Sequence, residues 1–166
     1  INGEAIAASN WQQSYSFIGK NYGFRPYFKD AMAGKMGRYF AVGTSSNKRG
    51  YYFSFPIYNQ GYPIAPNQGD AKVVGAILVK VDVTEIEQQS TGMARGSNYE
   101  FAISDPDNII FLSSQPNWRL TSLVPVTSQL KQHINASRRY ANRAIEPLDI
   151  KPPFNASLAE DYQIYQ

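Results

Sequence analysis

The chain has 166 residues, with 16 Lys and Arg against 13 Asp and Glu, 43% hydrophobic and 14% aromatic residues, and no cysteine. This allows one ordinary domain or two small ones around an aromatic core, and excludes a disordered chain, a coiled coil, a disulfide framework and thiol chemistry. Residues 1–60 carry seven cations and two anions, the remainder nine and eleven, so the basic excess lies in the first half.

The chain opens at Ile1 without Met, and its longest strongly apolar run, residues 73–79, is too short for a bilayer span, so it reads as a fragment of a longer, processed protein. Asn2-Gly3 predicts a turn into a strand over residues 4–9. Pro26 suits the first position of a short helix that presents Tyr27, Phe28, Ala31 and Met32 on one face and stops at Gly34. Residues 38–42 and 51–58 alternate in polarity and predict an antiparallel hairpin joined by the polar loop 43–50. Residues 73–83 are almost unbroken in apolar character, the mark of a central strand buried on both faces, with Lys80 as the interruption.

Thr84 and Glu87 have capping-box spacing at the start of a short helix, and residues 90–97 read as a linker. Beyond it the pattern resumes with a strand at 101–104, the turn Asp105-Pro106-Asp107-Asn108, a strand at 109–114, and a helix carrying Leu130, Ile134, Ala141 and Ile145 up to Pro147. A short strand is predicted at 162–165. The two halves look like repeated units, the second shorter than the first.

The chemistry is sparse. His133 is the only imidazole and sits on a helix surface among Lys131, Gln132 and Asn135, as a solvated residue would. Asp105 and Asp107 are explained by the turn and do not make a calcium loop. The loop 43–50 lacks the Gly-Lys-Ser/Thr ending of a phosphate loop, and no nucleic-acid motif accompanies the basic residues. These features predict no catalytic residues, no metal, no cofactor and no nucleic-acid partner.

Anion binding fits better. A lysine inside an apolar strand loses hydration worth roughly several kcal/mol unless a negative charge meets it. Asp82, on the same strand face, is one such charge; a ligand carboxylate is the other. Arg25 is a second cation, placed at a helix N-terminus, and Thr44, Ser45 and Ser46 add short hydroxyl donors. Tyr22 and the aromatics of the hairpin are candidate pocket walls, with Arg38, Arg49 and Tyr51 as further candidates for ligand contact.

Ser9-Asn10-Trp11, residues 22–28 (Tyr-Gly-Phe-Arg-Pro-Tyr-Phe), residues 38–46 (Arg-Tyr-Phe-Ala-Val-Gly-Thr-Ser-Ser), residues 49–54 (Arg-Gly-Tyr-Tyr-Phe-Ser) and residues 79–82 (Val-Lys-Val-Asp) together resemble the extracytoplasmic sensors of four-carbon-dicarboxylate histidine kinases. The resemblance implies an α+β fold of tandem PAS-like (PDC, or double Cache) domains, each a central antiparallel sheet flanked by short helices. Residues 1–90 would form the membrane-distal ligand-binding domain, 91–98 a linker and 99–166 the membrane-proximal domain. The family's long N-terminal helix is missing before Ile1, and the second domain ends early at Gln166.

It further implies binding of succinate, fumarate or malate by Tyr22, Arg25, Thr44, Ser45, Ser46 and Lys80, with Arg38, Arg49 and Tyr51 secondary. The parent would be a homodimeric, membrane-anchored kinase of the bacterial inner membrane whose periplasmic portion is this chain, signalling to a response regulator through its cytoplasmic part. The alternatives are a Cache-type chemoreceptor for amino acids or other small carboxylates, in which Asp82 would meet the ammonium, and an enzyme or structural module that uses its aromatics on sugar or peptide.

Overall fold

A computed structural model describes residues 2–60, 71–94 and 100–149. Two antiparallel sheets and three α-helices make up the fold. Helix α1 (Pro26–Met32) starts where the sequence places it: Arg25 is extended (φ −72°, ψ 135°) and Pro26 presets the first helical turn. It ends before Gly34, which takes φ +78°. Strands β1 (Gly37–Val42), β2 (Arg49–Tyr58) and β3 (Val73–Asp82) form one sheet in the order β1-β2-β3.

Strand pairing assigns the faces. Tyr39 pairs with Tyr52 and Tyr52 with Lys80, so these three side chains share a face. Helix α1 covers it: the Tyr27 ring stacks on Tyr52 at 5.3 Å and meets the edge of Tyr39 at 6.0 Å, and Ser54 Oγ donates to Tyr27 O at 2.7 Å. On the opposite face Phe40 stacks on Tyr51 at 4.2 Å and leans on Phe111 at 5.0 Å. Phe111 belongs to a core with Val83, Ile109, Leu112, Ile134 and Ile145, so residues 100–149 pack against the back of the first sheet.

Helix α2 (Val83–Ala94) follows β3; strands β4 (Ala102–Ser104) and β5 (Ile110–Ser113) form a two-stranded sheet, and α3 (Ser128–Ser137) is capped by the Thr127 side chain. Glu87 on α2, 2% exposed, ties the halves together. It takes Arg49 Nη2 at 2.7 Å and Arg119 Nη2 at 2.9 Å, and accepts the Ser113 N–H at 2.9 Å. The turn acids do the same locally. Asp105 accepts the N–H groups of Asp107 and Ile109 and the Tyr140 hydroxyl, while Arg139 spans Asp105 and Asp107 at 3.2 and 2.7 Å.

The hairpin, α1 and the strand-turn-strand at 101–114 match the sequence expectation. Four elements differ. Residues 4–9 make a single bridge, Glu4 to Asn21, instead of a strand. Strand β3 lies at the sheet edge among the described residues; its apolar run signals burial, but although α1 packs against the strand, Val74, Ile77, Leu78 and Val79 stay exposed. The Asp82 carboxylate, not Thr84, accepts the first free N–H of α2, and that helix continues past Ser90 to Ala94. Helix α3 stops at Arg138 in the left-handed region (φ 49°), so Ala141 and Ile145 lie beyond it, although Ile145 is still buried. The strand expected at 162–165 falls outside the described residues.

Glu87→Ala leaves two arginines without their carboxylate and is expected to cost about 3–5 kcal/mol in denaturant unfolding. Burial alone would raise the Glu87 pKa, but the Arg49 hydrogen bond, the Ser113 N–H and both arginine charges outweigh it and hold it below the ordinary 4.5. A carboxylate with a depressed folded pKa stabilises at neutral pH and loses that contribution as pH falls below 4.5 and through the folded value. Acid titration of Glu87→Gln should lack this component.

Candidate functional site

The site is built around Lys80. From edge strand β3 its side chain turns onto the α1 face, where the ammonium donates to Ser46 Oγ at 2.8 Å and lies 5.8 Å from the centre of the Tyr52 ring. Ser46 belongs to the loop between β1 and β2, and its neighbour Ser45 shares a hydrogen bond with the Tyr22 hydroxyl at 2.9 Å. Tyr22, Ser45, Ser46 and Lys80 are each half-buried, so the cluster is partly desolvated and reachable from solvent. Burial pushes the Tyr52 phenol up to about 12 even with Arg25 nearby lowering it, so that hydroxyl stays protonated at any physiological pH.

Among the described residues no carboxylate forms an ion pair with the Lys80 amine. Asp82, the strand neighbour that could form a plain ion pair, instead accepts the Thr84 N–H at 2.9 Å. Loss of hydration pulls the Lys80 pKa below 10.5, and the charge of Asp82 only partly offsets this. From the Asp82 side, Lys80 is the smallest of the influences lowering that pKa, behind the bonds to Thr84. The two charges feel each other without pairing.

Arg25 is the second such cation. It is 2% exposed, and its guanidinium donates to Val42 O at 3.1 Å and Arg138 O at 3.0 Å. It thus donates to backbone carbonyls at the end of β1 and beside α3 rather than to the hydroxyl cluster. Its charge nevertheless reaches the phenols of Tyr27 and Tyr52 beneath the site. Every other buried or half-buried cation among the described residues has an acid: Arg49 and Arg119 share Glu87, and Arg139 holds Asp105 and Asp107. Arg25 and Lys80 alone have none.

The three secondary candidates lie on the sheet face opposite Lys80. Arg38 pairs with Phe53 and is exposed behind the sheet, Arg49 is committed to Glu87, and Tyr51 is stacked against Phe40. Thr44 is exposed, and no hydrogen bond joins it to the cluster. Two cavities of about 500 Å³ open elsewhere. One lies behind the hairpin loop, lined by Lys48, Arg49, Asp82, Glu85 and Arg143; the other is beside Glu87 and Arg119. Neither is lined by Lys80, so the case for an anion rests on charge and donors. Tyr52, whose ring underlies the amine, is the contact that sequence reading left undistinguished among the aromatics; its pairing with Lys80 is the signal.

No family model matches the chain. It is 31% identical over 150 residues, 90% of its length, to the C4-dicarboxylate transport sensor protein DctB of Pseudomonas aeruginosa, and 31% identical over 152 residues to the protein of the same description from Rhizobium meliloti. The solved sensor domain of the Vibrio cholerae histidine kinase DctB superposes with a TM-score of 0.71 at 35% identity over 89% of the chain. The chain is homologous to DctB sensor domains. It spans 22% of the length of those two DctB proteins and 52% of the solved DctB chain. The α+β architecture and the dicarboxylate-sensor resemblance carried by the sequence motifs agree with this homology.

The Lys80 amine is expected to titrate below 10.5 in NMR of the ligand-free protein, and Asp82→Asn should lower it further, because Asp82 supplies the largest upward influence. A lysine with a depressed folded pKa destabilises the fold below that pKa, and the penalty fades as pH rises through it. Lys80→Met should therefore melt at or above the wild-type temperature at neutral pH, which thermal unfolding checks.

Proposed function

We propose that this chain is the ligand-binding part of an extracytoplasmic sensor for four-carbon dicarboxylates such as succinate, fumarate or malate. The observation that carries the reading is the pair of cations, Lys80 and Arg25, left without acids in a protein that pairs all its other described buried cations. A buried charge without a partner is costly, so an anion supplied from outside gains affinity by neutralising it.

A diacid has a charge at each end. One carboxylate accepts from the Lys80 ammonium and the Ser46 hydroxyl. The other is received at Tyr22 and Ser45, with Arg25 contributing positive potential and any N–H groups beyond those given to Val42 and Arg138. A monoacid leaves one cation uncompensated, so charge count selects the ligand. Charge-assisted bonds of roughly 1.5–3 kcal/mol each, less ordering costs, put affinity at about micromolar to millimolar, as suits a nutrient sensor.

Occupancy would favour one arrangement of α1 against the sheet, and that preference is what a sensor passes on. The kinase chemistry, the membrane anchor, the homodimer and the response-regulator contact would belong to the longer parent protein, with this chain as its periplasmic portion in a bacterial inner membrane. The amino-acid reading needs an acid facing the amine. Asp82 is turned to Thr84 instead, which disfavours it.

Calorimetry with succinate should give micromolar to millimolar binding, reduced at least about tenfold in Lys80→Ala. Butyrate, one charge short, should bind far more weakly than succinate. Wild-type affinity in Lys80→Ala, or alanine or serine outcompeting succinate, overturns the reading.

A further inference from the structure

Two glycines border the path that the Lys80 side chain takes across the sheet. A Cβ at Gly50 would come 2.5 Å from Lys80 Cε and 3.1 Å from its Cγ. A Cβ at Gly43 would come 2.5 Å from Ser46 Oγ, 3.0 Å from the Tyr52 hydroxyl and 3.4 Å from Lys80 Nζ. All these neighbours are side-chain atoms of the anion cluster. Gly3 and Gly23 differ: a Cβ at Gly3 would strike the Gly23 main chain, and one at Gly23 would come 2.7 Å from Asn2 O, whereas a Cβ at Gly37 would meet Ser54 Oγ at 2.4 Å and the Tyr27 main chain at 3.0 Å. Neither Gly43 nor Gly50 has a positive φ, so backbone freedom is not the reason for glycine at either position.

Pairing geometry explains why the space is needed. Lys80 lies opposite Tyr52, whose ring occupies the position directly across, so the lysine stem runs diagonally over Gly50 toward the loop. We infer that Gly43 and Gly50 are positioning residues, whose missing side chains form a slot that delivers the Lys80 amine to the Ser46 hydroxyl and so sets where an anion is held. The inference rests on the anion-site reading above and adds to it the residues that aim its central charge. A methyl group at Gly50 meets chiefly the flexible Lys80 stem, with Tyr52 Cε2 at 3.3 Å, and one at Gly43 meets the Ser46 and Tyr52 hydroxyls before the Lys80 amine. The low-energy response is for Lys80 to swing out to solvent while the fold stays intact.

The test uses Gly50→Ala and Gly43→Ala, alone and with Lys80→Ala, read by thermal unfolding, succinate calorimetry and NMR titration of the Lys80 amine without ligand. Both single variants should melt as wild type does and lose succinate affinity by at least about tenfold. Neither glycine change should cost anything further on the Lys80→Ala background. In the ligand-free proteins the amine should return toward the ordinary 10.5. Wild-type affinity in the glycine variants, an equal loss on the Lys80→Ala background, an unmoved amine titration or failure of both variants to fold overturns the inference. Absence of succinate binding in the wild type overturns the dicarboxylate reading alone, and the amine titration then decides the role of the glycines.

Discussion

A lysine that leaves an edge strand, crosses the face of a sheet and reaches a hydroxyl without meeting an acid is the constraint on which the rest of this site depends. Its ammonium has given up part of its hydration, and one neutral hydrogen bond to Ser46 does not replace what a carboxylate would supply. The surroundings are arranged to keep it there. Tyr52 offers its ring, the hairpin loop offers serine hydroxyls, and Asp82 is held away by the start of α2. Arg25, at the other end of the same face, adds charge of the same sign. Charges of like sign without acids among the described residues raise the local positive potential, and such a field attracts small anions.

The back of the sheet follows the opposite rule. There Arg49, one residue from the slot glycine Gly50, is locked to Glu87, which also holds Arg119 and the backbone of β5. The β2 strand therefore bears an uncompensated charge field on one face and a closed ion cluster on the other. Strands β1 and β2 touch residues 100–149 through Arg49 and through the Phe40 ring, which stacks on Tyr51 and meets Phe111. Together with the Glu87 cluster and the Arg25 bond to Arg138 O, these contacts connect the two halves at several points.

Local chemistry made much of this legible in the sequence. Pro26 after an extended Arg25, the polar loop between two alternating aromatic segments and the Asp-Pro-Asp-Asn turn each carry their geometry in a few residues. Lys80 stood out because it broke an apolar run. What could not be read was face and partner. Arg38, Arg49 and Tyr51 are close in the chain to residues of the Lys80 cluster but project from the other side of the sheet, and the strand pairing decides which parity faces α1. Arg25 was placed correctly at the helix start, yet of its two carbonyl contacts one, Arg138, lies 113 residues away. The position of β3 was misread because an apolar run reports a need for cover without naming the segment that supplies it.

The central claim is that a ligand carboxylate completes the charge balance of Lys80. Proton uptake tests it most directly, by calorimetric titration of succinate in buffers of different ionisation enthalpy across a series of alkaline pH values, because an amine of depressed pKa loses its proton earlier in that series than an ordinary lysine. Binding of an anion beside the amine should restore the proton, giving net uptake that grows with pH and disappears in Lys80→Met. Binding without proton exchange, or with the same exchange in Lys80→Met, would contradict the account.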